Sequence, residues 1–527
     1  MRQAILITGL MLLLVIIACS GEKTIGPSTP IIHLSSDSLH FIANAGGGST
    51  QATTQYVLVT NAGSGELQYT VSFKSQWLVA FTSGKAPDSI VVDVLPQGVL
   101  AGLHIDTIVV TCASAKNSPQ RIIVTFSALG AMDVEPRKLF FRMATNGPLP
   151  ADQLLVVNNV GGGVLHFSGL ASSARWTFTP SSGLAPDTIT VNVDAVGLVS
   201  GVYGDSIVFS SEDAANSPIS VACSLKVAPW VQQPIDPQYS LRAVKFVDAN
   251  HGWAVGFLPN FPSPQGAIFE TIDGGLHWDL LNPLYDGCLL GGVDFLNSQF
   301  GCVVGYRADS GLVLTTTDGG AHWGQQWVDG SPKLWKVQLV TSDTGWGVGQ
   351  GSGIVIRTID GGSTWTKQIV PTSIPLGGLF FTNSSNGWVV GNGGVMLHTS
   401  DGGAHWDSTG LNVNNDLWGV TFADANHGWI VGKDGLIYAT ANGGTTWSPQ
   451  TSPTSNELRG VTFSSLTSGW AVGYLGTIIH TENGGVTWQV QQSGTPAWLF
   501  ETAFASDHRG WIVGDSSTVL TTYSGGK

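Results

Sequence analysis

Charge is scarce in this chain of 527 residues: Asp, Glu, Lys and Arg together make up 11%, against roughly 25% in ordinary soluble domains. That shortage argues against long exposed helices stabilised by ion pairs. Basic runs are missing, and the formal net charge is −14, so a polyanion is repelled and no nucleic-acid partner is expected. Cysteine is rare too. Cys19, Cys112, Cys223, Cys288 and Cys302 show neither CxxC spacing nor a histidine-paired cluster, so no metal site is assigned. Cys112 and Cys223 fall in separate predicted domains and Cys302 takes a position that is Trp in sister repeats, so no disulfide is assigned. GxG matches reflect turn chemistry in a chain with 69 glycines and carry no cofactor signal.

The N-terminus has a long apolar run from Ala4 to Ala18, too short to span a bilayer and shaped like a cleavable export signal. It ends in Ile16-Ile17-Ala18-Cys19, which resembles the lipobox of bacterial lipoproteins. The resemblance implies cleavage before Cys19, lipidation of Cys19, and export to the cell envelope, with Ser20 favouring the outer membrane where the host has two. Membrane contact is expected through that anchor only. Residues 1–18 are then signal peptide and residues 19–30, rich in Gly, Ser, Thr and Pro, a flexible tether.

Internal repeats set the architecture. The first has a 99-residue period: Trp77 matches Trp176, Ala86-Pro87-Asp88 matches Ala185-Pro186-Asp187, and Asn117-Ser118-Pro119 matches Asn216-Ser217-Pro218. Within each copy, β-branched runs such as Ser89–Val94 and Asp106–Thr111 alternate with Gly, Pro and Asn turns, the pattern of an Ig-like β-sandwich without an antibody-type cysteine pair. The order Trp, Ser-Gly, Gly-x-x-x-Gly, Asn-Ser-Pro resembles the BACON domains of bacterial surface and carbohydrate-processing proteins. Residues 31–130 and 131–228 are assigned to the two copies.

A second repeat of about 41 residues starts near Leu241 and contains four short strands, one propeller blade per unit. Its Gly-Trp element recurs at Trp253, Trp346, Trp388, Trp429, Trp470 and Trp511, with Cys302 standing in once. The turn Thr-x-Asp-Gly-Gly-x-x-Trp carries Asp273, Asp318, Asp360 and Asp401, then Asn442 and Asn483, then Ser524. These short polar side chains suit acceptance of backbone N–H groups across a turn, a structural role. The last unit lacks its fourth strand, and Trp230-Val231-Gln232-Gln233 echoes Trp488-Gln489-Val490-Gln491-Gln492, so the strand around Trp230 is expected to close the ring. The expected fold is all-β: two tandem Ig-like sandwiches, then a seven-bladed propeller over 229–527. The combination of Asp box and Gly-Trp-x-Val-Gly strand resembles the photosystem II stability and assembly factor family, and more loosely the BNR repeats of sialidases. The first resemblance implies a scaffold for another protein during assembly.

No catalytic constellation is legible. Of Arg242, Arg307, Arg357, Arg459 and Arg509, only Arg242 and Arg459 share a repeat position, so a sialidase-type arginine triad is not formed. Asp294 and Asp416 are a conceivable carboxylate pair of the inverting kind. His251, His277, His322, His398, His405, His427 and His480 sit at repeat-equivalent places in different blades and are read as turn or strand side chains rather than metal ligands.

Tryptophan supplies the positive signal. Of 19, the repeats account for all but Trp327, Trp335, Trp418 and Trp498. The second position of each first strand reads Arg242, Gly291, Trp335, Gly377, Trp418, Arg459, Phe500 around the ring. Innermost strands line a propeller's axis, which makes Arg242, Trp335, Trp418, Arg459 and Phe500 the candidate binding face. The two-residue period of a strand would set Val244 and Phe246 on the face of Arg242, which leaves packing between blades open as the alternative. The proline-rich insertion Phe257 to Gln265 is a second candidate contact. Two main functional readings follow: a non-catalytic binding or assembly module for an envelope protein, and a glycan-binding or glycan-cleaving surface protein acting on an extracellular glycan. A third, a purely structural envelope protein, has no specific partner.

Overall fold

The computed structural model describes residues 29–45, 54–161, 163–235, 238–259, 263–328, 330, 333–351 and 353–527, those of Asn282 and Pro283 by backbone alone. Cys19 and the segment before residue 29 lie outside them, as do residues 260–262 of the insertion. Among the described residues the secondary structure is strand and 3-10 turn, with no α-helix. Sparse charge and abundant β-branched residues and glycine produce this result.

Residues 32–129 form a four-stranded and a five-stranded sheet. Alternation along Ser38–Asn44 and Gln120–Leu129 buries every second side chain. The inward set, including Phe41, Val57, Ile90, Ile108, Val124 and Phe126, makes one apolar cluster between the sheets. Residues 132–228 repeat the arrangement, with Phe141, Trp176, Ile189, Phe209 and Leu225 in the corresponding cluster.

Seven four-stranded antiparallel sheets follow. Their first strands are Ser240–Phe246, Leu289–Phe295, Leu334–Leu339, Leu376–Phe381, Leu417–Phe422, Leu458–Phe463 and Leu499–Phe504. Each lies beside the first strand of the next sheet, and Ser240–Phe246 lies beside Leu499–Phe504, so the ring closes around an axis that these strands line. The outer strand of the last sheet comes from Val231–Gln232, which pairs with Thr518–Thr522 through Val231 opposite Thr521. Closing the last sheet with a strand from before the first ties the two ends of the ring together.

One aromatic motif joins neighbouring sheets. The Trp of a Gly-Trp strand stacks flat on the Phe ending the next sheet's first strand, at 3.4–3.7 Å between centroids in five interfaces, and in a sixth Trp388 meets Phe422 at 4.2 Å with the planes tilted by 31°. The same Phe meets the Asp-box Trp of its own sheet edge-on at 5.8–6.1 Å. Trp230 plays that edge-on part against Phe504 in the last sheet, and its indole donates to Gln491 Oε1 at 2.9 Å. The seventh interface departs at both positions at once: Cys302 replaces the Trp, Leu339 replaces the Phe, and the two share one cluster.

The Asp boxes are local clamps. Asp318 Oδ1 accepts the backbone N–H of His322 at 2.9 Å and Asp401 Oδ1 that of His405 at 2.9 Å, while Asn442 and Asn483 do the same for Thr446 and Thr487. Backbone donation from His322 and from His405, helped by their side chains, pulls the carboxyls of Asp318 and Asp401 down to about 2. The histidines at these turns are exposed partners of their own boxes, at 2.6–2.7 Å from the carboxylates.

Trp230→Ala removes a buried ring on which ring closure depends. The expected loss is about 3–5 kcal/mol, read as a lowered melting temperature of the full chain; an unchanged melt would show that the closing strand does not hold the ring.

Candidate functional site

Every first strand has, as its first or second residue, a leucine that is fully buried between sheets: Leu241, Leu290, Leu334, Leu376, Leu417, Leu458 and Leu499. Each faces the last glycine of the Gly-Trp-x-Val-Gly strand. Glycine is required there because a Cβ would lie 1.8–2.5 Å from the carbonyl oxygen of the residue preceding that leucine. Immediately after the leucine the ladder skips one residue in all seven sheets. The skipped residues are Arg242, Gly291, Trp335, Gly377, Trp418, Arg459 and Phe500. A bulge of this kind re-aims its side chain out of the sheet's alternation. The two-residue period therefore does not carry from Arg242 to Val244 and Phe246, because the bulge between Leu241 and Ala243 resets it.

All seven bulge residues line one cavity with about 550 Å³ of empty space, joined by Lys336 and Gln350. Its wall is a partial pinwheel in which Arg242, Trp335, Trp418 and Arg459 each lean on the preceding blade. Trp335 lies over Gly291 and Trp418 over Gly377, where a Cβ would come within 2.8 and 3.0 Å of the respective indole carbons. The Arg459 guanidinium sits 3.8 Å above the Trp418 ring, and that of Arg242 4.0 Å above Phe500. Phe257, at the base of the insertion, flanks Arg242 at 5.3 Å.

The lining holds three cations, Arg242, Lys336 and Arg459, and no acidic side chain. Their counter-charges stand outside it: Asp515 at 3.6 Å from Arg242, Glu457 at 2.6 Å from Arg459, and Glu501 in contact with Lys336. Burial lowers the Arg242 pKa, Asp515 opposes the shift, and the nearby Arg459 adds to it. The indole N–H groups of Trp335 and Trp418 and Nε of Arg242 are buried donors without an acceptor among the described residues. Aromatic faces and guanidinium groups together suit a ligand with an anionic group on an apolar body.

One residue further along the strands the ring reads Ala243, Gly292, Lys336, Gly378, Gly419, Gly460, Glu501. Only Lys336 and Glu501, on non-adjacent sheets, have reach here, and they meet across the axis. A second cavity of about 810 Å³ shares Lys336, Trp418 and Arg459 with the mouth, and Lys245, Asp294, Gln338, Thr421, Thr462 and Thr502 help to line it. There Asp294, 5% exposed, holds Lys245 Nζ at 2.7 Å and accepts the Leu339 backbone N–H at 2.7 Å.

Other candidates from the sequence are dispersed. Asp416 spends its carboxylate on the Gly393 N–H at 2.9 Å, at the strand end opposite to Asp294, so those two carboxylates are not brought together. Arg509 is buried in the closing interface, donating to Gly274 O, and Arg357 lies 5.4 Å over Trp346. Trp327 is on the outer strand Gly324–Val328, away from the mouth. Trp498 stacks on Tyr474 at 4.1 Å. Sequence reading misses Lys336, Gln350 and Tyr474; the one available signal was that Lys336 and Glu501 are the two large residues in an otherwise small layer.

Four overlapping stretches, residues 284–379, 332–419, 369–448 and 404–495, match the model of the family described as photosynthesis system II assembly factor YCF48. The propeller is YCF48-like. Similar solved structures include YCF48 bound to D1 peptide, 22% identical with a TM-score of 0.48, the alignment covering 56% of this chain and 97% of that one. YCF48 from Cyanidioschyzon merolae is 20% identical at a TM-score of 0.47, with 56% and 99% covered. The WD40 beta propeller domain of Doa1 is 10% identical at 0.43, with 56% and 96% covered. A search of curated proteins finds no match.

Gly377→Val places a branched side chain where the Trp418 ring lies. The Arg459 guanidinium covers the ring 3.8 Å away, so ring and guanidinium must move together and the expected cost is roughly 1–3 kcal/mol. A shifted Trp418 indole N–H resonance with a lowered melting temperature is expected; an unmoved resonance would mean that the glycine does not seat the ring.

Proposed function

We propose that the chain is an exported, lipid-anchored binding or assembly-scaffold protein that acts without catalysis, through the mouth of a seven-bladed propeller. Two BACON-like, Ig-like sandwiches, residues 31–130 and 131–228, serve as spacers, and residues 229–527 form the binding unit. The observation that carries this reading is the mouth itself: Arg242, Lys336 and Arg459 among Trp335, Trp418 and Phe500, without an acid in the lining. In a chain of net charge −14, three such cations at one rigid opening select an acidic partner segment and attract it over short range. The match to an assembly-factor family supports a protein partner. The anchor is Cys19 and the location the cell envelope, on the outer membrane or cell surface of a two-membraned host.

The glycan reading keeps one observation in its favour. Trp77 is half-buried beside an open pocket with Gln76, Gln97 and His104, whereas its counterpart Trp176 is 2% exposed. An indole edged by amides and an imidazole suits a sugar.

The test is binding of the full chain to an array of acidic peptides and, in parallel, to a polysaccharide panel. Peptide binding that falls at least tenfold, about 1.4 kcal/mol, in Arg242→Ala/Arg459→Ala and in Trp335→Ala/Trp418→Ala supports the mouth. Polysaccharide binding lost in Trp77→Ala, with no peptide bound, would replace it by the glycan reading. Labelled palmitate incorporated in bacteria by the native chain and not by Cys19→Ser supports the anchor; equal labelling of both would remove it.

A further inference from the structure

We propose that the partner segment is gripped at a second point, an apolar lip on the sixth sheet made by Tyr474, Leu475 and Trp498. The occupant is then an extended peptide with a carboxylate and an apolar side chain about three residues away. This rests on the reading of the mouth given above and adds a contact that the mouth does not supply.

The lip begins with a conformational cost. The fourth, fifth and sixth sheets each turn after the second strand through a 3-10 segment whose middle residue is left-handed, Gly393 at φ 60°, Asp434 at φ 59° and Leu475 at φ 56°. Glycine and aspartate tolerate that region; a leucine does so against steric repulsion between Cβ and the backbone. Folding gains nothing in exchange, because the Leu475 side chain is 65% exposed. A strained apolar residue facing solvent is better explained by what it touches outside the chain.

Trp498 adds a second apolar face. It is 44% exposed and stacked on Tyr474 at 4.1 Å with 12° between the planes. The repeat does not need it: the same position holds Ser240, Leu289, Lys333, Pro375, Asp416 and Glu457 in the other sheets. Tyr474 links the lip to the mouth, since Arg459 Nη2 donates to its hydroxyl at 2.5 Å while the guanidinium covers Trp418 at 3.8 Å. The Arg459 guanidinium is 5.0 Å from the Tyr474 ring centre and Trp498 a further 4.1 Å. Mouth and lip are thus within about 9 Å, which an extended peptide spans in about three residues at roughly 3.3 Å each. The aliphatic Leu475 offers a partner no hydrogen bond, which favours a peptide side chain over a sugar at this point.

The probes are fluorescein-labelled Gly-Ser peptides with a free terminal carboxylate, one carrying a leucine about three residues before the end and one with serine in its place, titrated by anisotropy into the full chain. The leucine peptide is expected to bind at least about fivefold more tightly, the scale of one partly buried aliphatic group. Leu475→Gly and Trp498→Ala should each erase that difference while leaving the serine peptide's affinity unchanged. Leu475→Gly relieves the strained turn, so its melting temperature should hold or rise, which separates loss of contact from loss of fold. A preference for leucine that survives Leu475→Gly overturns the lip and leaves the mouth intact. Binding of both peptides that ignores Arg242→Ala/Arg459→Ala, or no binding of either, overturns the mouth and the lip with it. Polysaccharide binding that depends on Leu475 would overturn the peptide assignment.

Discussion

Flat stacking of a Gly-Trp indole on the next sheet's phenylalanine is the contact on which the ring depends. The five flat stacks fix neighbouring sheets in rotation as well as distance, because the indole N–H of Trp253, Trp346, Trp429, Trp470 and Trp511 also donates to the first glycine carbonyl of the next Asp box, as in Trp253 to Gly319 at 3.1 Å and Trp470 to Gly525 at 3.2 Å. Trp511 makes the same bond to Gly274 at 2.8 Å, joining the last sheet to the first. An aromatic pair adds about 0.5–1.5 kcal/mol beyond its burial, and six pairs around a closed ring act together. The exception is informative. Where Cys302 removes the indole, Leu339 removes the phenylalanine, so the loss is shared by the two partners and the interface repacks as aliphatic core instead of leaving half an aromatic stack.

Rigidity at that radius has a consequence at the axis. The buried leucine at the start of each first strand and the glycine opposite it force the same bulge seven times, and the bulge turns one side chain per sheet into the mouth. These seven positions are held by the scaffold but not used by it. They are therefore free to differ, and they do: two glycines, two tryptophans, two arginines and a phenylalanine. The glycines are part of the arrangement, since they open the space that Trp335 and Trp418 occupy. Charge follows a similar logic. The carboxylates that hold Arg242, Arg459 and Lys336 lie outside the mouth lining, so the cations are oriented by the protein while lining the cavity themselves.

What could be read from the sequence follows from periodicity. A 41-residue repeat exposes strands, turns and the residues that each unit shares, and by subtraction the ones it does not share, which is how Arg242, Trp335, Trp418, Arg459 and Phe500 stand out. The bulge is invisible to that method, because alternation assumes an unbroken ladder and a skipped residue leaves no trace in residue type beyond a Leu and a distant Gly. Contacts across the axis are invisible as well: Lys336 and Glu501 are 165 positions apart, and only closure of the ring brings them together. Leu475 is hidden for a third reason, since nothing in a leucine announces a positive φ.

The mouth and its surroundings differ in kind, and the difference bears on function. Residues that close the ring repeat with little variation, and buried indole N–H groups without an acceptor occur there too, at the Asp-box tryptophans Trp278, Trp323, Trp365, Trp406 and Trp447. Residues at the mouth and lip break the repeat, leave indole and guanidinium donors unused, and in Leu475 accept a strained backbone at an exposed site. Aromatic, cationic and exposed apolar groups that the repeat does not require run together along the line from Trp418 through Arg459 and Tyr474 to Trp498. A partner that supplies a carboxylate to the cations and an apolar group to the lip would engage all of these groups at once, which is why this is the face through which we propose that the propeller acts.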